Sequence, residues 1–526
     1  MAPAALLGSP PPAPEPPASA EHWYTLAVNG TPAGWAREGW RTTDAGVVSD
    51  SALRLRVRRG GSELTIEIEG RFVETADGRP VRLWTRRLLG TSPVEATYEL
   101  GPDGVDATTR QGGRERRERL SLPEGDWLTP AAARRAVAAH QRAGDHRYTV
   151  RSIDPAEGLE PKTVTRTWLG PPSPEARAAG ATGRWREEDS DAPGVASTVA
   201  LDADGDLVRS TLPFLGLEMT LQLTDRESAL AAAGTAPELL TATFVRPDRP
   251  IEDPRSVRRG VYRLVLPDGV VPDLPTGGAQ RAARRGRAVE VRVTSPEGGA
   301  PGRAEGGAGG GEPAADQDGE PPAGTLEPSL YLDFRDPAVA ALATRARQMA
   351  AARAPGDGDR PGRPTGPAEP AGSDGADEPE ESRRALAEDL SRFVHGYVRT
   401  KDYDTGFATA SEVVATRSGD CTEHSVLLAA LLRAEGIPSR VVTGLVYLDR
   451  TAGAAGVFGY HMWVEAWIDG RWLDLDPTIP SPRAGGFDAT HVALAVSTLD
   501  GPDAGGSLDR LLPLFGKLRI EVVEAR

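Results

Sequence analysis

The amino-acid sequence predicts a multidomain protein with a β-rich, antiparallel N-terminal region followed by an α+β domain near the C-terminus. With 526 residues, the chain is too long for a single hydrophobic core of ordinary size. Apolar and polar residues alternate with a period of two in the N-terminal region, whereas most of the predicted helices follow residue 335. Gly (60) and Pro (46) are so frequent that part of the chain must link or interrupt the packed units.

The first twenty residues, 1–20, are predicted to form a disordered, Pro-rich leader. They end in Ala18-Ser19-Ala20, which resembles a signal-peptidase site. The segment lacks a basic start, however, and its apolar run is too short for an export signal. These residues alone therefore do not indicate export.

Residues 21–295 are predicted to form the β-rich region. The alternation of apolar and polar residues, as in Leu64-Thr65-Ile66-Glu67-Ile68, is typical of an antiparallel sheet with one solvent-exposed face. Asn29-Gly30 and Asp77-Gly78 predict tight hairpins, and Thr129 to Arg142 predicts a helix. The Ala-Asp-Gly turn at 76–78 recurs at 203–205. The region is therefore either two related halves, 21–145 and 146–295, or a set of hairpins that share a favoured turn.

The C-terminal part is predicted to hold one domain, 326–500, with a tail or strand at 501–526. Residues 296–325 are predicted to be a disordered linker, because Gly, Pro and acidic residues cannot bury enough apolar surface to offset the entropy of ordering. The same composition predicts a disordered insertion at 354–381. Helices are predicted on either side of it, at 336–352 and 382–399.

Composition also argues against several classes of function. A formal net charge of −15 disfavours nucleic acid as a partner, since nucleic-acid binding rewards a basic surface. No apolar run is long enough to predict a membrane span. One cysteine excludes an intrachain disulfide, and no Gly-rich phosphate loop precedes a helix. We therefore predict no cofactor.

The single cysteine lies at the start of a predicted helix. Asp420 and Glu423 form a capping-box pattern, which places Cys421 at the first helical position. Unpaired backbone N–H groups and the positive end of the helix dipole favour a thiolate there. The two flanking carboxylates oppose it, so a nearby imidazolium would be needed.

A predicted β-hairpin supplies that imidazole. Asp469-Gly470 is a two-residue turn, and the resulting register sets Trp463 opposite Asp476. Asp476 is then the diagonal neighbour of His461, at about 7–8 Å between backbones, within reach of a side-chain hydrogen bond. Asp474 lies one pair further away. The register therefore predicts Cys421 as nucleophile, His461 as base and Asp476 as the group that orients it.

Each of these residues also has a simpler interpretation. Cys421 could be a buried, inert thiol, His461 a polar strand residue and Asp476 a cap at the strand end. His424, three residues after Cys421, is a rival base without a predictable orienting group. Cys421, His424, His461 and Asp476 could formally ligate zinc, but the spacing is unlike common zinc sites, so we predict no metal.

Four motifs, in order, resemble the transglutaminase-like superfamily. They are Gly419-Asp420-Cys421-Thr422-Glu423-His424, the run Leu432 to Gly444, Tyr460-His461-Met462-Trp463-Val464-Glu465, and Trp472-Leu473-Asp474-Leu475-Asp476-Pro477-Thr478. The resemblance implies a papain-like cysteine-enzyme core, with the family's Cys, His and Asp at Cys421, His461 and Asp476. The family's second oxyanion donor has no clear match, and Tyr403 is a weak candidate. A β-rich N-terminal part also resembles bacterial envelope members, which implies the periplasm or cell envelope as the location.

The expected function is cysteine-dependent acyl transfer on a peptide-type amide through a thioester intermediate. Hydrolysis is preferred, because nothing in the sequence marks an amine-acceptor site. The alternatives are a protein-crosslinking transglutaminase, which joins glutamine to an amine, and an inactive binding or scaffold protein. A protein or peptide is the expected substrate.

Overall fold

The computed structural model of the protein describes residues 19–526 apart from several short and two long gaps. The residues left out are 60–61, 90–91, 191–194, 233, 235, 268, 270, 296–320, 354–379, 401–406, 452–453, 481–484, 500–510 and 512–513. The leader up to residue 18, most of the predicted linker and insertion, and Tyr403 thus lie outside the described residues. The first strand begins at Ser19, inside the segment predicted to be a leader.

The N-terminal region forms one antiparallel sheet of fourteen strands. In chain order the strands are Ser19–Val28 (β1), Thr31–Thr43 (β2), Gly46–Arg59 (β3), Ser62–Glu74 (β4), Pro80–Leu89 (β5), Pro93–Gly101 (β6), Gly104–Gln111 (β7), Arg114–Leu120 (β8), Arg147–Ser152 (β9), Lys162–Gly170 (β10), Gly183–Asp189 (β11), Ala196–Leu201 (β12), Leu207–Phe214 (β13) and Leu217–Thr224 (β14). Two meanders, β1–β8 and β9–β14, meet where β1 pairs with β14. The alternating sequence pattern thus appears as hairpin after hairpin, each burying one side-chain face.

Short helices connect or cover this sheet. They are Pro130–Ala143 (α1), Pro174–Ala178 (α2), Arg226–Ala231 (α3) and the 3₁₀ turns Leu240–Thr243 and Pro254–Ser256. The predicted helix at 129–142 is confirmed as α1. The Thr129 hydroxyl accepts from a first-turn N–H, and Gly144 ends the helix in the left-handed region at φ 71°.

A second, four-stranded sheet joins distant parts of the chain. Its strands are Arg259–Val265 (β15), Gln280–Arg285 (β16), Ala288–Thr294 (β17) and Arg519–Ala525 (β22), in the order β16-β17-β15-β22. The segment 21–295 therefore contributes strands to two sheets, and the C-terminal residues return to pair with β15. Sequence periodicity could not reveal this pairing, because it carries no information about which strands meet.

The C-terminal region combines four helices with a third sheet. The helices are Pro337–Arg353 (α4), Glu380–Tyr397 (α5), Ala410–Thr416 (α6) and Cys421–Ala434 (α7), and the strands are Ser439–Thr451 (β18), Ala454–Ile468 (β19), Arg471–Leu475 (β20) and Val492–Ser497 (β21). The strand order is β20-β19-β18-β21. One face of this sheet packs on the helices, and the other packs on the second sheet. Helix α7 is central and almost wholly buried, which holds its first residue in a fixed position.

These observations confirm the predicted fold class, a β-rich antiparallel N-terminal region with a C-terminal α+β region. No helix among the described residues has both the length and the apolar content needed to cross a membrane.

Candidate active site

Cys421 is the first residue of helix α7, as the capping pattern predicts. The Asp420 carboxylate accepts from the backbone N–H of Thr422 at 2.8 Å, and the Glu423 carboxylate accepts from the N–H of Asp420 at 2.9 Å. This reciprocal capping box satisfies N–H groups that a helix start otherwise leaves unpaired. It fixes the half-buried thiol of Cys421 at the helix tip.

The surroundings of the thiol favour its neutral form. Burial raises the pKa of Cys421 well above its usual range, and the negative charge of Asp420 raises it further. The positive charge of Arg59 and the backbone N–H of Met462 act in the opposite direction. The helix start alone therefore does not produce a thiolate, so a proton acceptor is needed for reactivity.

His461 and Asp476 are in direct contact. Nε2 of His461 lies 2.9 Å from Oδ2 of Asp476, and both side chains are buried. His461 immediately precedes Met462, whose backbone N–H faces the Cys421 sulfur. The His461–Asp476 pair and Cys421 thus lie on the two elements that meet at the tip of α7, with Met462 of β19 in contact with the sulfur.

The predicted hairpin register is confirmed over most of its length and wrong at its end. Glu465 pairs with Asp474 and Val464 with Leu475, as the two-residue turn requires. The predicted next pair, Trp463 with Asp476, does not form, because strand β20 ends at Leu475 and the Asp476 N–H instead donates to the Gly485 carbonyl at 2.6 Å. Asp476 still reaches His461 from the turn that follows the strand.

Asp476 is held as an anion by its neighbours. Burial acts to raise its pKa, but the charges and hydrogen bonds of His461 and His491 outweigh burial and hold the pKa far below the usual range. Its Oδ1 accepts from the backbone N–H of Thr478 at 2.8 Å. The carboxylate therefore has a fixed orientation and a fixed charge.

Asp474 does not contact His461, as the register predicts. Its Oδ1 accepts from Nε1 of Trp463 and its Oδ2 from the backbone N–H of Ala279, each at 2.9 Å. Asp474 thereby ties the hairpin to the loop before β16.

The rival base, His424, points into its own helix. Its Nδ1 lies 2.6 Å from the carbonyl oxygen of Asp420, and its ring is completely buried. That contact fits a structural role in the first turn of α7. Tyr403, the weak candidate for an oxyanion donor, lies outside the described residues.

Sequence reasoning missed His491, which lies just before β21. Its Nε2 is 3.1 Å from the same Oδ2 of Asp476 that contacts His461. His491 belongs to no motif and shows no informative periodicity, so only the folded chain brings it to the site.

His461, Asp476 and His491 also offer three possible metal ligands within 4.8 Å of one another. The His–Asp distances of 2.9 and 3.1 Å match direct hydrogen bonds, each with a proton between the heavy atoms. A metal ion would have to displace both protons, so the arrangement fits a hydrogen-bonded cluster better than a metal site.

Sequence reasoning also missed Arg59, at the end of β3 in the fourteen-stranded sheet. Its Nη2 lies 3.0 Å from Oδ2 of Asp420, whose side chain is 5% exposed. The N-terminal region thus places a positive charge beside the residue that caps the helix of Cys421. No local sequence signal could pair two residues so far apart in the chain.

Known proteins resemble the part of the chain that carries this site. Residues 372–477 match the model of the transglutaminase-like superfamily. A protein-glutamine gamma-glutamyltransferase of Pseudomonas aeruginosa is 43% identical over 70 residues, which cover 12% of this chain and 10% of that protein. An uncharacterized protein of Mycobacterium bovis is 32% identical over 108 residues, which cover 18% of this chain and 34% of that protein. The chain thus spans from a tenth to a third of the length of these relatives.

Among solved structures, a beta-barrel-like protein of a domain family of unknown function from Brucella abortus is 15% identical. The match covers 39% of this chain and 95% of that one, with a TM-score of 0.30. So weak a likeness establishes neither a shared fold nor a shared activity. The family match and the order of the four motifs agree on the C-terminal region, and the chain carries a transglutaminase-like domain at residues 372–477.

Proposed function

We propose that the protein is an enzyme that transfers the acyl group of a peptide-type amide through a thioester on Cys421. The observation that carries this proposal is the 2.9 Å contact between His461 and Asp476 beside the helix tip that bears the thiol. A nucleophile, a base and a carboxylate that orients the base are the components that amide chemistry by a thiol requires.

The first chemical step forms the thioester. His461 takes the proton of the Cys421 thiol as the sulfur attacks the carbonyl carbon, and the carbonyl oxygen becomes an oxyanion. The backbone N–H of Cys421 is suited to stabilise this charge, because the first N–H groups of a helix have no acceptor within it and the capping box engages those of Thr422 and Glu423. The C–N bond then breaks, and His461 returns the proton to the departing amine.

The second step regenerates the thiol. Water attacks the thioester carbonyl, the C–S bond breaks, and the proton of the attacking water passes through His461 to the sulfur. This sequence is hydrolysis, which we propose as the reaction. A primary amine in place of water would give crosslinking; the Pseudomonas relative is named a protein-glutamine gamma-glutamyltransferase.

The β-rich region is proposed to position the protein or peptide substrate. Its contacts with the catalytic region support this role: Arg59 pairs with Asp420, Arg114 pairs with Asp333, and Ser92 hydrogen-bonds Glu412. A scaffold protein that had lost activity would have no need of an intact Cys421, His461 and Asp476.

Mass spectrometry of the protein after brief incubation with a glutamine-containing peptide and a primary amine tests the proposal. An acyl adduct on Cys421 with hydrolysed peptide as product is the expected result, and Cys421→Ser should form no thioester. If the product is the peptide linked to the amine, the reaction is crosslinking and not hydrolysis. If none of a panel of peptides gives an adduct or a product, the inactive scaffold protein is favoured.

A further inference from the structure

Behind Asp476 lies a buried chain of alternating charges that the proposed reaction does not use directly. Nε2 of His491 faces Oδ2 of Asp476 at 3.1 Å, and Nδ1 of His491 faces the carbonyl oxygen of Asp488 at 2.9 Å. The Asp488 carboxylate in turn lies 2.8 Å from Nη1 of Arg255. His491 and Asp488 are both fully buried.

The contacts of His491 require a proton on both ring nitrogens. A neutral imidazole has one N–H and one acceptor nitrogen. A carbonyl oxygen can only accept, and Oδ2 of Asp476 already faces Nε2 of His461 at 2.9 Å. If either nitrogen of His491 lacked its proton, two acceptors would face each other at hydrogen-bond distance in a buried site, which is costly. His491 is therefore an imidazolium.

We propose that His491 is a positioning residue for the reaction: as an imidazolium it shares the Asp476 carboxylate with His461 and thereby holds that carboxylate ionised and in place. The inference rests on the proposed function of the Cys421–His461 pair. A lone carboxylate would stabilise protonated His461 fully, whereas a carboxylate already paired with a cation stabilises it less.

The electrostatics of the cluster agree with this assignment. Burial acts to lower the pKa of His491, but Asp488 and Asp476 outweigh it and raise the pKa to about 9. For Asp488, burial acts to raise the pKa, and His491 and Arg255 hold it below its usual range. The charged and titratable groups that face His491 or its two carboxylates are His461, Asp474, Asp476, Asp488, Arg255 and Tyr262.

The first test is the pH profile of Cys421 alkylation in His491→Gln. Glutamine keeps an amide N–H for Asp476 but removes the positive charge. We expect the acidic limb of the profile to move to higher pH, because Asp476 then has no second cation to pair with. The control is His395→Gln, since Nδ1 of His395 contacts the carbonyl of Pro477 at 3.0 Å, in the turn that follows Asp476. That variant should keep the wild-type profile, and a loss of rate without a shift in His491→Gln would overturn the proposal.

The second test measures the protonation state of His491 and does not depend on a reaction at Cys421. In the ¹⁵N-histidine-labelled protein, His491 should show two N–H signals up to about pH 8, with the signals assigned by their loss in His491→Gln. This result is independent of whether Cys421 reacts, so failure of the proposed function and failure of this inference are distinguishable. A neutral His491 near pH 7, or stoichiometric zinc whose removal by a chelator changes the His491 signals, would overturn it.

Discussion

Two carboxylates, Asp474 and Asp476, lie two residues apart at the end of one strand, and only Asp476 contacts His461. Asp476 has both histidines and two backbone N–H groups as donors, whereas Asp474 binds Trp463 and Ala279. The two residues therefore offer a matched pair for testing which carboxylate supports the base.

Asp476→Asn is expected to lower kcat by about 10²–10⁴-fold, because an amide cannot stabilise the imidazolium that forms as the thiol loses its proton. Steady-state kinetics on the peptide substrate measures the loss. Asp474→Asn should cost less than about tenfold, since the amide oxygen keeps one of the two accepted hydrogen bonds and His461 is untouched. Equal losses in the two variants would contradict the assignment of Asp476.

The contact between His461 and Asp476 could be predicted from the sequence, whereas His491 could not. The two-residue Asp469-Gly470 turn fixes the register as far as the Val464–Leu475 pair, which brings Asp476 near His461 although the predicted pair with Trp463 does not form. His491 reaches Asp476 through a loop whose path depends on tertiary packing. Local patterns carry no such information.

Helix α7 shows how a local capping motif sets the environment of Cys421. Glu423 accepts from the backbone N–H groups of Asp420 and Ala408, at 2.9 and 3.2 Å, and its side chain is fully buried. Burial, reinforced by the charge of Asp420, raises the pKa of Glu423 to about 8. The protonated carboxyl is therefore favoured in the folded protein below that pH.

Glu423 is expected to make stability fall as pH rises. Below the pKa that Glu423 has in the unfolded chain, the folded and the unfolded protein both hold the Glu423 proton, and the contribution of Glu423 to stability is fully present. Between that pKa and about 8, only the folded protein keeps the proton. Stability should then decrease by up to about 1.4 kcal/mol per pH unit across this window. Urea unfolding at several pH values should show this slope in the wild type and a flatter one in Glu423→Gln. Parallel curves would contradict it.

The capping box itself was predictable, because its residues are close in sequence. The pairing of strands was predictable only for two strands that form a hairpin. Strand β22, for example, returns from the C-terminus to pair with β15, and nothing in either segment identifies the other as its partner.

Across the whole molecule, the fourteen-stranded sheet reaches the candidate site through Arg59. The ion pair with Asp420 partly offsets the negative charge beside Cys421, and the charge of Arg59 lowers the pKa of that thiol. The N-terminal region thus influences Cys421 as well as contacting the C-terminal region.

Arg59→Ala is expected to slow alkylation of Cys421 by up to about tenfold, because the loss of one partly exposed positive charge raises the thiol pKa. Arg58→Ala is the matched control, since Arg58 is exposed on the same strand. Stopped-flow alkylation of both variants checks the effect. The same rate in the two variants would show that the sheet does not tune the thiol.

The rate of alkylation of Cys421 in the native protein tests the central claim most directly, because the chain has one cysteine and every adduct reports on it. At neutral pH the wild type and a His395→Ala control should react at least about tenfold faster than His461→Ala, since the thiol is held neutral unless His461 takes its proton. All three proteins should react alike once unfolded. If native wild type and His461→Ala react at the same rate, His461 is not the base of Cys421, and the proposed enzyme is contradicted.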